Sequence, residues 1–342
     1  MSLKSFFGRL SFRRRRARRA FEQSIDEAAS IVSTADESPD RSKRLHETLL
    51  AALKHGADAF SPTSAELAAP LYALAAHELS QDRLADAHTH ATELVVIAEA
   101  APLAMKEPSM VAVRALAAAV ASRQDPTGTR TKVAIEAWAR EAETAGDAES
   151  AGAAWNQLAL LVARAGDRGI ASSLFEKAKR HRRAAHGEKG VATLETLFNA
   201  ATYRSDVLSL DDAEADLRVV VRELEHRPES TVLRSSALHN LAVLREERGD
   251  LDEAKVLFAR ALEALEKAHG QKHARLRPTL VRLALLHHRE GSLLLAMEAY
   301  DRAYEIATKE LGSQHPIAIA IEAWKTELSE GVGPGALARG LA

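Results

Sequence analysis

The sequence predicts an all-α fold, a superhelix of stacked antiparallel helix pairs. Three observations predict it. Residues 235–318 carry one pattern twice, 42 residues apart: Leu241-Ala242 recurs as Leu283-Ala284, Gly249 as Gly291, Ala254 as Ala296, Ala261 as Ala303, Gly270 as Gly312 and His273 as His315. A fixed period of roughly 20–50 residues marks a solenoid of repeated units. Within each copy the apolar residues follow a helical period interrupted by glycine. The composition is 46% hydrophobic and only 4% aromatic, with ten prolines and no cysteine, as an all-helical array requires.

Each unit reads as two helices. From Ser235 to Arg248, Leu238, Leu241, Ala242 and Leu244 share one helical face. Gly249-Asp250 interrupts the pattern, and glycine accepts the positive φ that a helix end needs. A second helix runs from about Leu251 to Ala268, with Ala254, Leu257, Phe258, Ala261, Leu262 and Leu265 facing inward. Asp252 and Glu253 occupy its first turn, where the helix dipole favours negative charge. Alanines at the crossings let the helices approach to roughly 8–9 Å.

The rest of the chain follows in order. Residues 1–21 carry Lys4, Arg9, Arg13, Arg14, Arg15, Arg16, Arg18 and Arg19 and no acid, a charge of +8. The remainder holds 38 basic against 48 acidic residues, a net of −10. Leu3, Phe6, Phe7 and Leu10 fall at i, i+3, i+4 and i+7. Apolar aromatics followed by arginines suit an anionic membrane surface, where each basic residue contributes about 1 kcal/mol. The same arm also fits a nucleic-acid or acidic protein partner, a bare solvated segment, or an Arg- and Ser-rich organelle-targeting segment. No apolar core follows the arginines, which argues against a secretory signal. Residues 22–60 read as a degenerate helical pair, with stripes Ile25, Ala28, Ala29, Val32 and Leu45, Leu49, Leu50, Leu53.

The array proper is expected over 64–328, clearest at 150–318. Asp82 takes the place of Gly249, with Leu74-Ala75 before it and Ala87 after it. Steps of 42 from position 82 reach 124, 166 and 208, and a step of 41 reaches Gly249. Turns are therefore expected at Gln124–Gly128, Gly166 and Asp206–Asp211, with an irregular helix over Lys132–Ala145. The reading counts six units, the last being a single capping helix over 317–328, which the exposed end of a solenoid needs. Residues 329–342 read as a flexible, glycine-rich tail.

No motif carries chemistry. The fourteen histidines lack metal-ligand spacing. His46-Glu47 and His77-Glu78 each lack the second histidine of a zinc-protease helix. Gly187-Glu188-Lys189-Gly190 lacks the strand-to-helix context of a phosphate loop. There is no cysteine nucleophile and no Gly-x-Ser-x-Gly elbow. Lys177, Lys179, Arg180, Arg182 and Arg183 suit the last turns of a helix, without the interleaved aromatics that nucleic-acid stacking wants. The expectation is a protein without enzyme activity, cofactor or metal, cytoplasmic or peripheral to a membrane. No run approaches the ~18 apolar residues of a transmembrane helix.

The large–small placements Leu238, Leu241-Ala242, Ala254, Phe258 and Ala261 resemble the tetratricopeptide repeat. The 42-residue period and the trailing Gly-x-x-His, with Pro316 after the second, resemble its kinesin light chain-like subtype. The resemblance covers 235–318, extends over about 150–234 and fades before that. It implies a right-handed superhelical solenoid whose first helices line a concave, peptide-binding face. Polar residues just before the large–small pair would then contact the ligand's backbone: Gln157, Asn199, Asn240 and Arg282, flanked by Asn156 and His239. Arg164, Asp206, Glu247 and Arg289 lie further along the same helices. Carboxamides both donate and accept, which suits a peptide backbone. As bare chemistry these are also ordinary polar residues of a helix face. The resemblance thus implies a protein- or peptide-binding adaptor, with Phe6, Phe7 and Arg13, Arg14, Arg15, Arg16, Arg18 and Arg19 as its membrane or anionic-partner arm. The alternative is a regulatory repeat protein that meets nucleic acid or an acidic partner through that arm.

Overall fold

The computed structural model describes residues 3–34, 38–102, 104–105, 107–204 and 210–334, with the side chains of 3–12 and 204 excepted. The described residues form fifteen α-helices and no strand. They fall into two compact units, 1–185 and 186–342.

The first unit holds α1 (Leu3–Ser33), α2 (Pro39–Ala59), α3 (Ala68–Ser80), α4 (Leu84–Ala100), α5 (Met110–Gln124), α6 (Thr129–Thr144), α7 (Ala148–Arg164) and α8 (Arg168–His186). α1 is continuous through the expected arm boundary at residue 21. Phe21 is buried and meets the Phe60 ring edge-on at 5.2 Å. The Arg18 guanidinium lies 5.8 Å from the Phe60 ring centre. Ile25, Ala28 and Ile31 continue the buried stripe against Leu49, Leu53 and Leu74. The basic stretch is thus the leading part of a helix whose later turns are held in the core.

The second unit holds α9 (Val191–Arg204), α10 (Leu210–Glu223), α11 (Thr231–Glu247), α12 (Leu251–His269), α13 (Arg277–Arg289), α14 (Leu293–Leu311) and α15 (Pro316–Ser329). Three hairpins, α9/α10, α11/α12 and α13/α14, are followed by the capping helix. Ala242, Ala254, Ala261, Ala284, Ala296 and Ala303 are completely buried at the crossings, and Phe258 and Tyr300 fill the hairpin interiors. The turns are alike. Gly249 (φ +83) donates from N to Glu246 O at 3.0 Å, and Asp250 N to Arg245 O at 2.9 Å. Gly291 repeats this with His288 and His287. The trailing histidines cap the next helix: His273 Nδ1 accepts from Arg275 N and His315 Nδ1 from Ile317 N, both at 3.2 Å. These caps satisfy N–H groups that a helix start otherwise leaves bare.

The first unit departs from the simple 42-residue count. The loop at Asp125–Gly128 is a turn between repeats. There Thr131 Oγ1 donates to Asp125 O at 2.6 Å, as Thr193 Oγ1 donates to Gly187 O at 2.8 Å. The turn within a hairpin comes later, at Gly146 (φ +72), with Gly146 N to Glu143 O and Asp147 N to Ala142 O at 3.1 and 2.9 Å. Measured from Gly146, the large–small pair is Trp138-Ala139, the small residue is Ala151 and the aromatic is Trp155, matching Leu241-Ala242, Ala254 and Phe258 around Gly249. α7 then repeats the pattern from Gly166, with Leu158-Ala159 before and Ala171 and Phe175 after. One helix therefore serves as the second of one pair and the first of the next. At its junction with α8 a Cβ on Gly152 would lie 2.8 Å from Arg182 Cγ, so only glycine permits this approach.

Both Ala254 and Ala151 sit at such crossings with no exposed area. Replacing either by Leu should cost about 1–3 kcal/mol through overpacking, lowering the thermal midpoint by several degrees. An unchanged midpoint in thermal denaturation for Ala151→Leu would remove α7 from the repeat pattern.

Candidate peptide groove

In the second unit the first helices of the repeats, α9, α11 and α13, stand side by side with α15. Polar side chains join them. Asn240 Nδ2 donates to Thr202 Oγ1 at 2.8 Å, tying α11 to α9. His239 Nδ1 lies 2.9 Å from Thr279 Oγ1, tying α11 to α13. Glu246, nearly buried, accepts from Arg282 at 3.1 Å and from Arg289 at 2.7 Å. The residues expected to meet a ligand are thus also the fasteners of neighbouring repeats. This follows from helix geometry: a polar residue at one repeat's lining position has its counterpart one repeat away at the same height.

Two cavities of about 310 Å³ each open on this face. One is lined by Phe198, Val232, Ser235, Asn240, Leu265 and Thr279, among others. The other includes Arg282, Val281, Ile317, Ala320 and Trp324. His239 and Pro278 line both, so they form the wall between them. Two buried donors at these cavities have no hydrogen-bond partner, Ser235 Oγ in the first and Trp324 Nε1 in the second. A buried polar group left unmade costs about 1–3 kcal/mol, which a ligand acceptor or water would recover.

His239 is set deep. Its ring packs edge-on to Phe258 at 5.2 Å. Burial, aided by the Arg282 charge, holds its pKa down to about 4. The imidazole is therefore neutral at pH 7 and presents one donor and one acceptor.

Of the expected residues, His239, Asn240 and Arg282 line the cavities, while Asn199 and Arg289 lie on the same helices outside those linings. Asn156, Gln157 and Arg164 belong to α7 in the first unit; Asn156 is buried, Gln157 and Arg164 are exposed. Asp206 and the side chains of Phe6 and Phe7 lie outside the described residues. Arg13, Arg14, Arg15, Arg16, Arg18 and Arg19 are exposed along α1. In the second basic cluster Lys177 Nζ sits 4.4 Å from the Trp155 ring centre, and His181 Nε2 lies 2.9 Å from Glu143 Oε1. Sequence reasoning missed Thr202, Thr279 and Glu246 as partners, and Ser235 and Trp324 as cavity donors. The signal for the first three was their spacing of 36–40 residues from the residues they hold. Among the described residues no group of three or more His, Asp or Glu is placed to hold a metal ion, and no helix is long and apolar enough to cross a membrane.

The depressed pKa gives a signed pH effect. The unfolded imidazole takes a proton near pH 6.5, the folded one only near 4. Between these values the unfolded chain binds more protons, so stability falls as pH is lowered from about 6.5 towards 4, by at most ~1.4 kcal/mol per unit. His239→Gln should flatten part of that slope in denaturant titrations at pH 7, 6 and 5. Identical slopes for both proteins would contradict a buried neutral His239.

Residues 233–309 match the family model of the tetratricopeptide repeat. No curated protein matches the chain in sequence. Among solved structures, aspartyl phosphate phosphatase F from Bacillus subtilis is similar at a TM-score of 0.55 and 12% identity, over 100% of this chain and 83% of its own. BtubC (BKLC) from P. vanneervenii is similar at 0.52 and 14%, over 76% of this chain and 92% of its own. A putative kinesin light chain from Podosopora anserina with nearly identical TPR-like repeats matches at 0.45 and 21%, over 55% of this chain and 89% of its own. At these identities the first two share the fold alone. Together with the repeated helix pairs described above, the match at 233–309 places the chain in the tetratricopeptide repeat family.

Proposed function

We propose that the chain is a non-enzymatic adaptor that binds a peptide segment of a partner protein along α11 and α13, and that α1 brings it to an anionic membrane surface. The observation that carries the first part is the pair of adjacent cavities sharing His239, each with an unpartnered buried donor. An extended peptide offers side chains for cavities of this size and backbone carbonyls for Ser235 Oγ and Trp324 Nε1. Because Asn240, Arg282 and Arg289 are already held by Thr202 and Glu246, the lining is pre-organised, which lowers the ordering cost of binding.

The second part rests on α1. It is one helix from Leu3 to Ser33, so Leu3, Phe6, Phe7 and Leu10 occupy the register of a single stripe, followed by six exposed arginines. Such a helix combines apolar anchoring with attraction to anionic lipid.

Capture of binding proteins from native lysate by the full chain tests both parts when substituted chains are run beside it. Ser236→Trp and Val281→Trp fill the two cavities and leave the Thr202, Thr279 and Glu246 contacts in place. A groove partner should bind each at least tenfold more weakly. The fourfold variant Arg13→Gln, Arg14→Gln, Arg15→Gln and Arg16→Gln should keep that partner and lose co-sedimentation with phosphatidylserine vesicles. Partners indifferent to both cavity fillings would move recognition off this face. Vesicle binding indifferent to the four arginines would remove the membrane role.

A further inference from the structure

We infer that the trough between α4, α5 and α6 in the first unit is a binding site for an amphipathic organic anion, with its apolar tail over an alanine floor and its carboxylate at Arg130. The site is separate from the peptide groove and does not depend on it.

The trough exists because one repeat position is under-filled. Nine residues after the turn, the second helix of a pair carries a large side chain: Trp155 after Gly146, Phe175 after Gly166, Phe258 after Gly249 and Tyr300 after Gly291. Counted from Asp82, whose φ is +59, the same position in α4 is Ala91. Ala91 is almost fully buried and lines a cavity of about 410 Å³. The phase break in the next helices keeps the space open, because α5 presents Ala117 and Ala121 as its floor and α6 presents Val133, which is 61% exposed. The volume falls in the range of small-molecule sites, about 300–1,000 Å³, and so does the character: mostly apolar with a few polar groups at the edge.

Those polar groups select a charge. No Asp or Glu lines the trough, while Arg114, Arg130 and His88 do. Arg114 is already paired with Glu99 at 2.5 Å. Arg130 is exposed in the first turn of α6 and has no ion-pair partner among the described residues. An apolar body ending in a carboxylate satisfies the alanine lining and this guanidinium together, and a planar carboxylate can meet the guanidinium by two parallel hydrogen bonds. A cationic amphiphile with the same chain gains only the apolar contact.

Isothermal titration of the full chain with decanoate and with decyltrimethylammonium, both below their micelle concentrations, tests this. The expected result is saturable one-site binding of decanoate, at least tenfold weaker for the cation and for Arg130→Gln. Ala91→Phe should abolish binding and raise the thermal midpoint of the ligand-free protein, because it restores the missing ring. If that variant does not fold, Ala134→Leu on the α6 wall blocks the same space from the open side. Three results overturn the proposal: no saturable decanoate binding, equal binding of both amphiphiles, or undiminished binding in the filled variants. Self-association that Ala134→Leu abolishes, without decanoate binding, assigns the trough to a second copy and overturns it as well.

Discussion

Close approach of helices at alanine is the constraint on which this structure depends. Ala254, Ala261, Ala296 and Ala303 have no exposed area, and each sits where one helix crosses its neighbour. A methyl group at the crossing brings the axes near enough for the larger side chains on either side, Phe258 and Tyr300 among them, to close the hairpin interior. The turn glycines serve the same end. Gly249 and Gly291 take φ of +83 and +74 so that the chain reverses within two residues and the next helix starts at contact distance. Remove the small residues and the pairs splay; the lining face then loses its register.

That register is what makes a polar groove. With neighbouring first helices held at one height, Asn240 reaches Thr202, His239 reaches Thr279, and Glu246 receives Arg282 and Arg289. The cross-repeat bonds satisfy side chains that would otherwise be desolvated singly. They also fix the cavity walls before any ligand arrives. His239 is neutral because it is buried there, so the wall between the two cavities carries no imidazole charge at pH 7.

Much of this was legible in the sequence, and the reasons for the rest are physical. The two exact copies in 235–318 announced the second unit, since glycine, alanine and histidine at a fixed offset each answer to a local backbone or packing need. The first unit was harder. A uniform step of 42 placed a hairpin turn at residue 124, whereas the chain makes that turn at Gly146. Trp138-Ala139, Ala151 and Trp155 carried the true phase, but at an offset of 20 residues from the next copy, which a search for a single long period does not see. The groove shows a similar divide. His239, Asn240 and Arg282 stood out by position within one repeat. Their partners lie in the adjacent repeat, and the cavities arise from packing among several helices, so neither follows from any one repeat's pattern.

The measurement closest to the central claim is amide hydrogen exchange of the full chain with and without a captured partner, because it reports which helices the partner covers and slows. The account predicts added protection along α11 and α13, centred on residues 235–240 and 278–282. Protection confined to α12 and α14, with α11 and α13 unchanged, would contradict it.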